Sequence, residues 1–181
     1  IMKNSPEFLT ILVKIASFSD FMVQIVEKNP AVLDFLTEPS ILNEPTRRKD
    51  LTRIFTSLKG GMSLEKTIQS LFEMEIFRIG CQDILKIKTG LQISQSLSVL
   101  AETLLLQTIK EYSGDKKYRF AVIFLGRIAG REFSYHSDID AVFVSESSDP
   151  EDIYKLSDFL QKILNSLNGV YKLDLRLRPN G

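Results

Sequence analysis

The sequence predicts an α+β fold, in which an N-terminal helical bundle over residues 1–113 precedes a mixed-sheet core over residues 114–181. In the first part, apolar side chains recur at intervals of three and four residues, which is the spacing of one face of an α-helix. In the second part, compact apolar runs alternate with polar segments, which is typical of strands joined by loops and helices. A hydrophobic content of 44% and a charged content of 25% are ordinary for a globular protein, so we expect a packed core.

Three apolar stripes define the helical part. Prolines and glycines lie between the stripes, as expected where helices end, and we expect four or five helices that support the core. Ser63 is placed to cap the helix of the second stripe. The stripes are Phe8, Leu12, Ile15 and Met22; Leu64, Ile68, Leu71 and Phe72; and Ile93, Leu97, Leu100 and Leu104.

The second part contains three predicted strands, joined by a polar loop and by an amphipathic helix. The loop, residues 126–137, connects the first two strands. The helix opens at residues 148–150 and ends at residues 168–169, where Asn-Gly follows its apolar face. This order predicts a sheet with one face covered by the helical part. The strands are residues 118–125, 138–145 and 170–177.

The composition excludes several classes of partner and compartment. The 23 basic residues balance the 23 acidic residues, whereas proteins that bind long nucleic acids usually carry a basic excess. No apolar run reaches the roughly 18 residues that a membrane span needs. Cys81 has no second cysteine to pair with, which favours a reducing compartment. We therefore expect a cytoplasmic protein that binds neither nucleic acid nor membrane.

Two aspartates lie at the start of the second predicted strand. Asp138 and Asp140 are two residues apart, so their side chains leave the same face of the sheet. Two neighbouring carboxylates repel each other unless they share a cation, and Mg²⁺ and Mn²⁺ prefer such oxygen ligands. Taken alone, the pair is equally consistent with ordinary polarity at the end of a strand.

The loop before these aspartates favours a phosphate-binding function. Gly126 and Gly130 allow backbone N–H groups to turn toward phosphate oxygens, and Arg127 and Arg131 supply positive charge. An ordinary glycine-containing turn would explain the loop by itself. Its position directly before the Asp-x-Asp pair favours a metal and phosphate site.

The third predicted strand adds a further carboxylate. Its period-2 pattern places Lys172, Asp174, Arg176 and Arg178 on one face and leucines on the other. A solvated polar face is the simpler explanation of such alternation. A third carboxylate with arginines nearby suits a metal-assisted phosphoryl-transfer site.

These motifs resemble a known family. Residues 126–140 (GRIAGREFSYHSDID) are similar to the signature of the DNA-polymerase-β-like nucleotidyltransferase superfamily, and more narrowly to that of the glutamine synthetase adenylyltransferase and adenylyl-removing family. Residues 171–181 (YKLDLRLRPNG) resemble the second signature block of that family. Residues 77–83 and 97–102 also resemble the helical region that precedes its catalytic core. The resemblance covers most of the chain and is weak before about residue 70.

The resemblance implies a bifunctional, metal-dependent nucleotidyltransferase that uses ATP and Mg²⁺ or Mn²⁺. One such unit attaches AMP to a tyrosine of glutamine synthetase, and another removes it by phosphorolysis. Glutamine synthetase is thus the implied partner, with a nitrogen-regulatory signal protein as a further one. The implied nucleotidyltransferase core would be incomplete at the C-terminal end of this chain. The implied catalytic and metal-binding residues are Asp138, Asp140 and Asp174; the implied nucleotide-binding residues are Gly126, Arg127, Gly130, Arg131, Ser137, Arg176 and Arg178.

The sequence departs from the family pattern at several positions in the first motif. Arg127 replaces a usual lysine, Ala129 replaces a usual glycine, and His136 stands where a small residue is usual. Arginine keeps the charge of lysine but not its geometry. Two other functions stay open: a nucleotidyltransferase that acts on another protein or a small molecule, and a non-catalytic regulatory module of the same fold.

Overall fold

A computed structural model describes residues 6–113, 120–147 and 149–175 of the 181-residue chain. These residues are mostly helical and include a small mixed sheet, so the predicted α+β class is confirmed. The elements are α1 (Pro6–Phe18), α2 (Asp20–Lys28), a 3-10 turn (Pro30–Leu33), α3 (Asp34–Thr37), α4 (Pro39–Asn43), α5 (Arg48–Lys59), α6 (Leu64–Ile84), α7 (Gly90–Ser113), β1 (Phe120–Phe124), α8 (Gly126–Ala129), β2 (Ile139–Ser145), α9 (Pro150–Leu167) and β3 (Leu173–Asp174).

The two longest helices, α6 and α7, pack against each other and against α5. Both helices bury residues around most of their circumference, which is expected of helices surrounded by other elements. Phe55 from α5, Phe77 from α6 and Leu104 from α7 are almost completely buried. The helical part therefore supplies most of the hydrophobic core.

The first predicted apolar stripe spans two helices and not one. Helix α1 ends at Phe18, and Ser19 adopts an extended backbone with its side chain accepting the Met22 N–H at 3.3 Å. This N-cap starts α2 in a new direction. Met22 consequently reaches the core from α2, whereas Phe8 and Ile15 reach it from α1.

The two helix starts that were predicted, at Ser63 and at residues 148–150, agree with the structure. The described residues before position 114 form seven α-helices, more than the four or five that were predicted, because the segment 20–43 folds as several short helices. Ser63 caps α6 by accepting the Lys66 N–H at 3.3 Å. Asp149 caps α9 by accepting the Glu151 N–H at 2.8 Å, and Pro150 occupies the first turn. Helix α9 ends at Leu167, directly before the predicted Asn-Gly stop.

The sheet has the strand order β1-β2-β3. Strand β1 pairs with β2 antiparallel, with Val122 opposite Phe143, and β2 pairs with β3 parallel, with Asp140 opposite Asp174. The third strand comprises two of the described residues, against the longer run that was predicted. Residues 176 and 177 of that predicted strand, with the rest of the chain to residue 181, lie outside the described residues.

One face of the sheet is covered by α9. The Phe159 ring lies 5.4 Å from the Phe120 ring between centroids, and α9 also contacts α6 and α7. No described helix covers the opposite face, which we call the open face, and Ile123 and Val144 on it are each about half exposed. Asp140 is four residues before Val144 on β2, so its side chain leaves the same, open face. Its cross-strand partner Asp174 lies on that face too.

The predicted loop after β1 begins with a helical turn. Gly126–Ala129 forms α8, and the Gly130 N–H closes the turn on the Gly126 carbonyl at 3.1 Å. The sequence pattern did not predict this helix because two glycines within five residues normally disfavour helical structure. Buried Ile128 holds the turn against the core.

No helix among the described residues is both long enough and apolar enough to cross a membrane.

Replacing Phe77 with alanine tests the position of the core. Because Phe77 is fully buried, Phe77→Ala is expected to lower the free energy of unfolding by about 3–5 kcal/mol. Tyr154→Ala is the matched control, since the Tyr154 side chain is mostly exposed on α9; its expected effect is within about 0.5 kcal/mol. Urea unfolding followed by circular dichroism measures both, and equal losses would contradict this core.

Candidate functional site

Two of the three predicted metal-binding carboxylates lie side by side on the open sheet face. Asp140 and Asp174 are direct partners in the parallel register of β2 and β3, and both are half-buried. Adjacent Ile139 and Leu173 are buried on the other face. The leucine and isoleucine side chains therefore fix the strands, and the aspartates face outward from a rigid base.

The third carboxylate, Asp138, precedes β2 and pairs with a lysine. Lys172 Nζ lies 3.2 Å from Asp138 Oδ2, and the Ile139 N–H donates to the Lys172 carbonyl at 2.8 Å. The two side chains are 42% (Asp138) and 68% (Lys172) exposed, so water screens this pair and the contact contributes little stability. Lys172 nevertheless places a positive charge beside the Asp138 carboxylate.

Gly126 lies so close to Asp140 that any side chain at position 126 would displace the Asp140 carboxylate. A Cβ atom on Gly126 would lie 2.4 Å from Asp140 Oδ2, and the Gly126 backbone has φ of +55°. Leu125 ties the same corner together because its N–H donates to the Asp140 carbonyl at 2.9 Å. The start of the predicted phosphate loop thus lies directly against one of the predicted metal ligands.

Within the described ranges, no three carboxylate, histidine or cysteine side chains form a ready metal cluster. The Asp138 carboxylate is paired with the Lys172 ammonium group. The donor chemistry nonetheless fits a hard divalent cation, since carboxylate oxygens are its preferred ligands. The Asp140 carboxylate lies against the Gly126 backbone, in the space that a side chain at position 126 would occupy.

The segment after α8 is fastened to the long helix α7. Arg131 Nη1 lies 3.0 Å from Glu102 Oε1, and the Phe133 N–H donates to Ser98 Oγ at 3.4 Å. Phe133 itself is completely buried. Helix α7 therefore holds this segment through one ionic contact, one hydrogen bond and one buried ring.

A second attachment joins the segment to α6. The Tyr135 hydroxyl donates to Asp83 Oδ2 at 3.3 Å. Burial, together with the negative charge of Asp83, raises the pKa of Tyr135 above its ordinary value, so the hydroxyl keeps its proton and remains a donor. Ser134 and Ser137 close the following turn, with their hydroxyl oxygens 2.8 Å apart.

Aromatic packing fixes the entry to β3 beside this segment. The Tyr171 ring meets the Phe133 ring edge-on at 5.6 Å and the Phe72 ring edge-on at 5.3 Å. Such edge-to-face pairs stabilise a specific arrangement. Because Tyr171 lies two residues before Leu173, this cluster positions β3 against β2.

The upstream segment, residues 77–83, connects several helices. The buried Arg78 guanidinium binds Glu75 at 2.7 Å, the Glu44 carbonyl at 2.7 Å and Thr46 Oγ1 at 2.8 Å. Gly80 allows Met22 of α2 to pack closely, since a Cβ there would lie 2.8 Å from the Met22 sulfur. This segment thus organises the helices, and its last residue, Asp83, reaches the site through Tyr135.

The predicted nucleotide-binding residues occupy different environments. Arg127 and Gly130 are exposed on α8 and at its C-terminal end, Arg131 is bound by Glu102, and buried Ser137 is bonded to Ser134. Gly130 has no steric requirement for glycine, because an added Cβ would meet only ordinary contacts. Arg176 and Arg178 lie outside the described residues. A phosphate contact for each of these residues stays a prediction.

Sequence reasoning did not assign a role to Glu102 or Asp83. Glu102 is an acid within an apolar stretch of α7, and Asp83 follows the buried segment of α6. An acid at a helical position that the apolar pattern places inside the core is a detectable signal, because buried acids need a partner. The partner, Arg131, is 29 positions away in the sequence, so the pairing itself was not predictable.

Among the described residues, two cavities lie near the 126–137 segment and the entry to β3. The larger, about 530 Å³, lies between α2, α6 and the segment at Tyr135 and His136, and it is lined mainly by aromatic and aliphatic side chains. The smaller, about 470 Å³, lies between the end of α9 and the Lys172–Leu173 backbone. The carboxylates Asp138, Asp140 and Asp174 line neither cavity; they face the open side of the sheet.

Comparison with known proteins gives a consistent family assignment. Residues 9–181 match the family described as glutamate-ammonia ligase adenylyltransferase. The chain is 30% identical over 197 residues to the bifunctional glutamine synthetase adenylyltransferase/adenylyl-removing enzyme of Neisseria meningitidis serogroup B, covering 99% of this chain and 22% of that protein. It is 27% identical over 209 residues to the protein of the same name from Rhizobium meliloti, covering 100% of this chain and 21% of that protein.

The chain therefore belongs to the glutamate-ammonia ligase adenylyltransferase family, as its motifs predicted. A more distant relative of the same name, from Methylococcus capsulatus, is 24% identical over 220 residues and covers 100% of this chain and 23% of that protein. The chain spans about a fifth of the length of the curated relatives it matches.

A pair of glycine variants tests the contact between Gly126 and Asp140. Gly126→Ala and Gly169→Ala both place a side chain at positive φ, which costs about 1–2 kcal/mol in a left-handed conformation. The added Cβ meets Asp140 only at position 126, whereas open space surrounds it at position 169. We expect Gly126→Ala to weaken Mn²⁺ binding and Gly169→Ala to leave it unchanged.

Titration calorimetry with Mn²⁺ measures the affinity, and thermal unfolding confirms that each variant is folded. Equal Mn²⁺ affinities for the two variants would show that the Gly126 contact does not shape the carboxylate site.

Proposed function

We propose that the open sheet face carries a metal-dependent adenylyl-transfer site that acts on glutamine synthetase. The reaction would be the addition of AMP to a tyrosine of that enzyme or its phosphorolytic removal. The observation that carries the proposal is the alignment of Asp140 and Asp174 in one register, with the Gly126 backbone against Asp140.

Family membership supports the substrate assignment. The relatives share the name bifunctional glutamine synthetase adenylyltransferase/adenylyl-removing enzyme, and the match extends through both the helical part and the sheet. We extend to this chain the nucleotidyltransferase fold for its sheet, and a supporting bundle for its helices. The contacts of α6 and α7 with the 126–137 segment support that division of roles.

The transfer reaction exchanges one phosphorus–oxygen bond for another. In the forward direction, the tyrosine hydroxyl oxygen of glutamine synthetase attacks the α-phosphorus of ATP, the bond to the bridging oxygen of the β-phosphate breaks, and pyrophosphate leaves. The hydroxyl proton passes to a nearby base. In removal, an oxygen of inorganic phosphate attacks the same phosphorus, ADP forms, and the tyrosine oxygen regains a proton.

The residues of this chain supply orientation and charge for that exchange. We assign the turn that begins at Gly126 to the phosphate oxygens, and the Arg127 side chain is exposed on the same turn. Asp174, beside Asp140 in the register, is the carboxylate we assign to the tyrosine hydroxyl and its proton. Holding reactants in line in this way contributes much of the rate enhancement of such transfers.

The carboxylates of Asp138, Asp140 and Asp174 would hold Mg²⁺ or Mn²⁺, which when bound neutralises phosphate charge and stabilises the attacking and leaving oxygens. Lys172 lies 3.2 Å from Asp138. For Asp138 to serve as a ligand, the Lys172 ammonium group has to move away from it. Its exposed side chain is free of the steric restraint that would prevent this movement.

The pairing of Lys172 with Asp138 also favours a second candidate function. A lysine that neutralises one carboxylate would suit a non-catalytic module that binds a nucleotide or a protein without metal. The two functions differ in their metal requirement: the catalytic site binds ATP more tightly with Mn²⁺ present, and the regulatory module does not. A nitrogen-regulatory signal protein stays a predicted partner in either case.

Asp140→Asn tests the catalytic proposal. The substitution removes one carboxylate charge but keeps the side-chain size, so the fold should be preserved. We expect AMP transfer to fall by more than about 100-fold, because even outer-shell partners of metal ligands contribute about 10–100-fold. Asp158→Asn is the matched control: Asp158 is an exposed acid of α9 paired with Lys162, and its change should leave activity intact.

The measurement uses radiolabelled ATP with unmodified glutamine synthetase, and, in parallel, adenylylated glutamine synthetase with inorganic phosphate. The direction that turns over identifies the activity. A folded Asp140→Asn protein that retains full turnover in that direction would defeat the assignment.

A further inference from the structure

Glu102 is a buried acid outside the group of carboxylates on the sheet. It lies on α7 with 4% of its surface exposed and is bound by two arginines from different parts of the chain. Its Oε1 lies 3.0 Å from Arg131 Nη1 in an ion pair, and its Oε2 accepts from Arg48 Nη2. A buried carboxylate is destabilising unless it is paired. Glu102 therefore requires these two contacts, and one of them lies in the segment that borders the candidate site.

The backbone around Arg131 is held at several points. Arg131 has φ of +60°, in the left-handed region that non-glycine residues seldom adopt. Its N–H donates to the carbonyl of buried Ile128 at 3.3 Å. One helical turn before Glu102, Ser98 accepts the Phe133 N–H. Since positions four apart share one face of a helix, Ser98 and Glu102 contact the 126–137 segment from the same face of α7.

Backbone hydrogen bonds connect the residues around Arg131 to Gly126 and Arg127 at the start of the segment. The Gly130 N–H donates to the Gly126 carbonyl at 3.1 Å, and the Glu132 N–H donates to the Arg127 carbonyl at 2.9 Å. These bonds enclose Arg131 on both sides. A displacement of Arg131 would therefore be transmitted to Gly126, whose backbone must stay in contact with Asp140.

We propose that Glu102 is a positioning residue for nucleotide binding. Through Arg131, it holds the 126–137 segment in the position that keeps the Gly126 backbone against Asp140. This inference rests on the proposed function, because it assumes that the site binds a metal and a nucleotide. It assigns to helix α7 a direct part in shaping the site.

Arg48 provides an internal control. It lies on α5, binds the other oxygen of Glu102, and has no place in the 126–137 segment. The side chains of Arg48 and Arg131 are 52% and 45% exposed, so water can solvate both guanidinium groups when Glu102 is replaced. Glu102→Gln is therefore expected to fold. Arg48→Met and Arg131→Met each leave Glu102 with one arginine partner, and thermal unfolding of both checks that they fold.

The test is a double-mutant cycle on the intact protein, with Glu102→Gln, Arg131→Met and their combination, and with Arg48→Met as the control. Titration calorimetry with Mn²⁺ and a non-hydrolysable ATP analogue gives the dissociation constant. We expect Glu102→Gln to weaken binding by roughly 10–100-fold, in the range that a small misplacement of binding groups produces. In the Arg131→Met background, Glu102→Gln should add no further loss. Arg48→Met should bind as the unaltered protein does.

Several outcomes would overturn the inference. If Glu102→Gln binds the analogue as tightly as the unaltered protein, or more tightly, the ion pair with Glu102 does not position Arg131 for binding. An equal loss in Arg48→Met would show a general effect of packing. If the unaltered protein binds no Mn²⁺ and analogue at all, the proposed function fails, and the inference fails with it. Should Glu102→Gln not fold, Glu102→Asp keeps the charge with a shorter reach; unaltered affinity in that variant would likewise refute positioning.

Discussion

The contact between the Gly126 backbone and the Asp140 carboxylate is the constraint on which the candidate site depends. It combines a glycine two residues after β1, a left-handed backbone at the start of α8, and Asp140 on the neighbouring strand. The Leu125 N–H donates to the Asp140 carbonyl and so holds the two backbones together at this point. The parallel register of β2 and β3 then brings Asp174 beside Asp140. The turn that we propose binds phosphate and the carboxylate pair thus meet through backbone geometry.

The helical part gives this corner its rigidity. Asp83 of α6 binds Tyr135, while Ser98 and Glu102 of α7 bind Phe133 and Arg131. These attachments come from two long, deeply buried helices that have little freedom to move. The resemblance upstream of the sheet, at residues 77–83 and 97–102, therefore has a physical explanation: these helical residues support the site. Interactions of this kind, which fix the groups that contact a ligand, commonly decide how well a site functions.

The fold class and the elements of the site were predictable from local patterns. Helical periodicity located α6 and α7, and the alternation after residue 113 located β1 and β2. Periodicity did not reveal the break at Ser19, where a side-chain cap redirects the chain, nor the helical turn at Gly126–Ala129, which tertiary contacts stabilise against the low helix propensity of glycine.

The candidate carboxylates followed from the two-residue spacing of Asp138 and Asp140 and from the alternation around Asp174. The pairing of Lys172 with Asp138, and of Glu102 with Arg131, did not follow. Both pairs join residues that are far apart in the sequence, and a pattern within one segment carries no information on its distant partner. Only the resemblance of residues 126–140 and 171–181 to two motifs of one family indicated that Asp174 belongs to the same site as Asp138 and Asp140.

The most direct measurement is diffraction from crystals of the protein grown with Mn²⁺ and a non-hydrolysable ATP analogue, with data collected to locate manganese by its anomalous scattering. The account predicts an anomalous peak between Asp140 and Asp174 on the open sheet face, with the analogue's phosphates against Gly126 and the Lys172 ammonium group displaced from Asp138. A saturated crystal that holds the analogue elsewhere, or that shows no manganese at these carboxylates, would contradict the central claim.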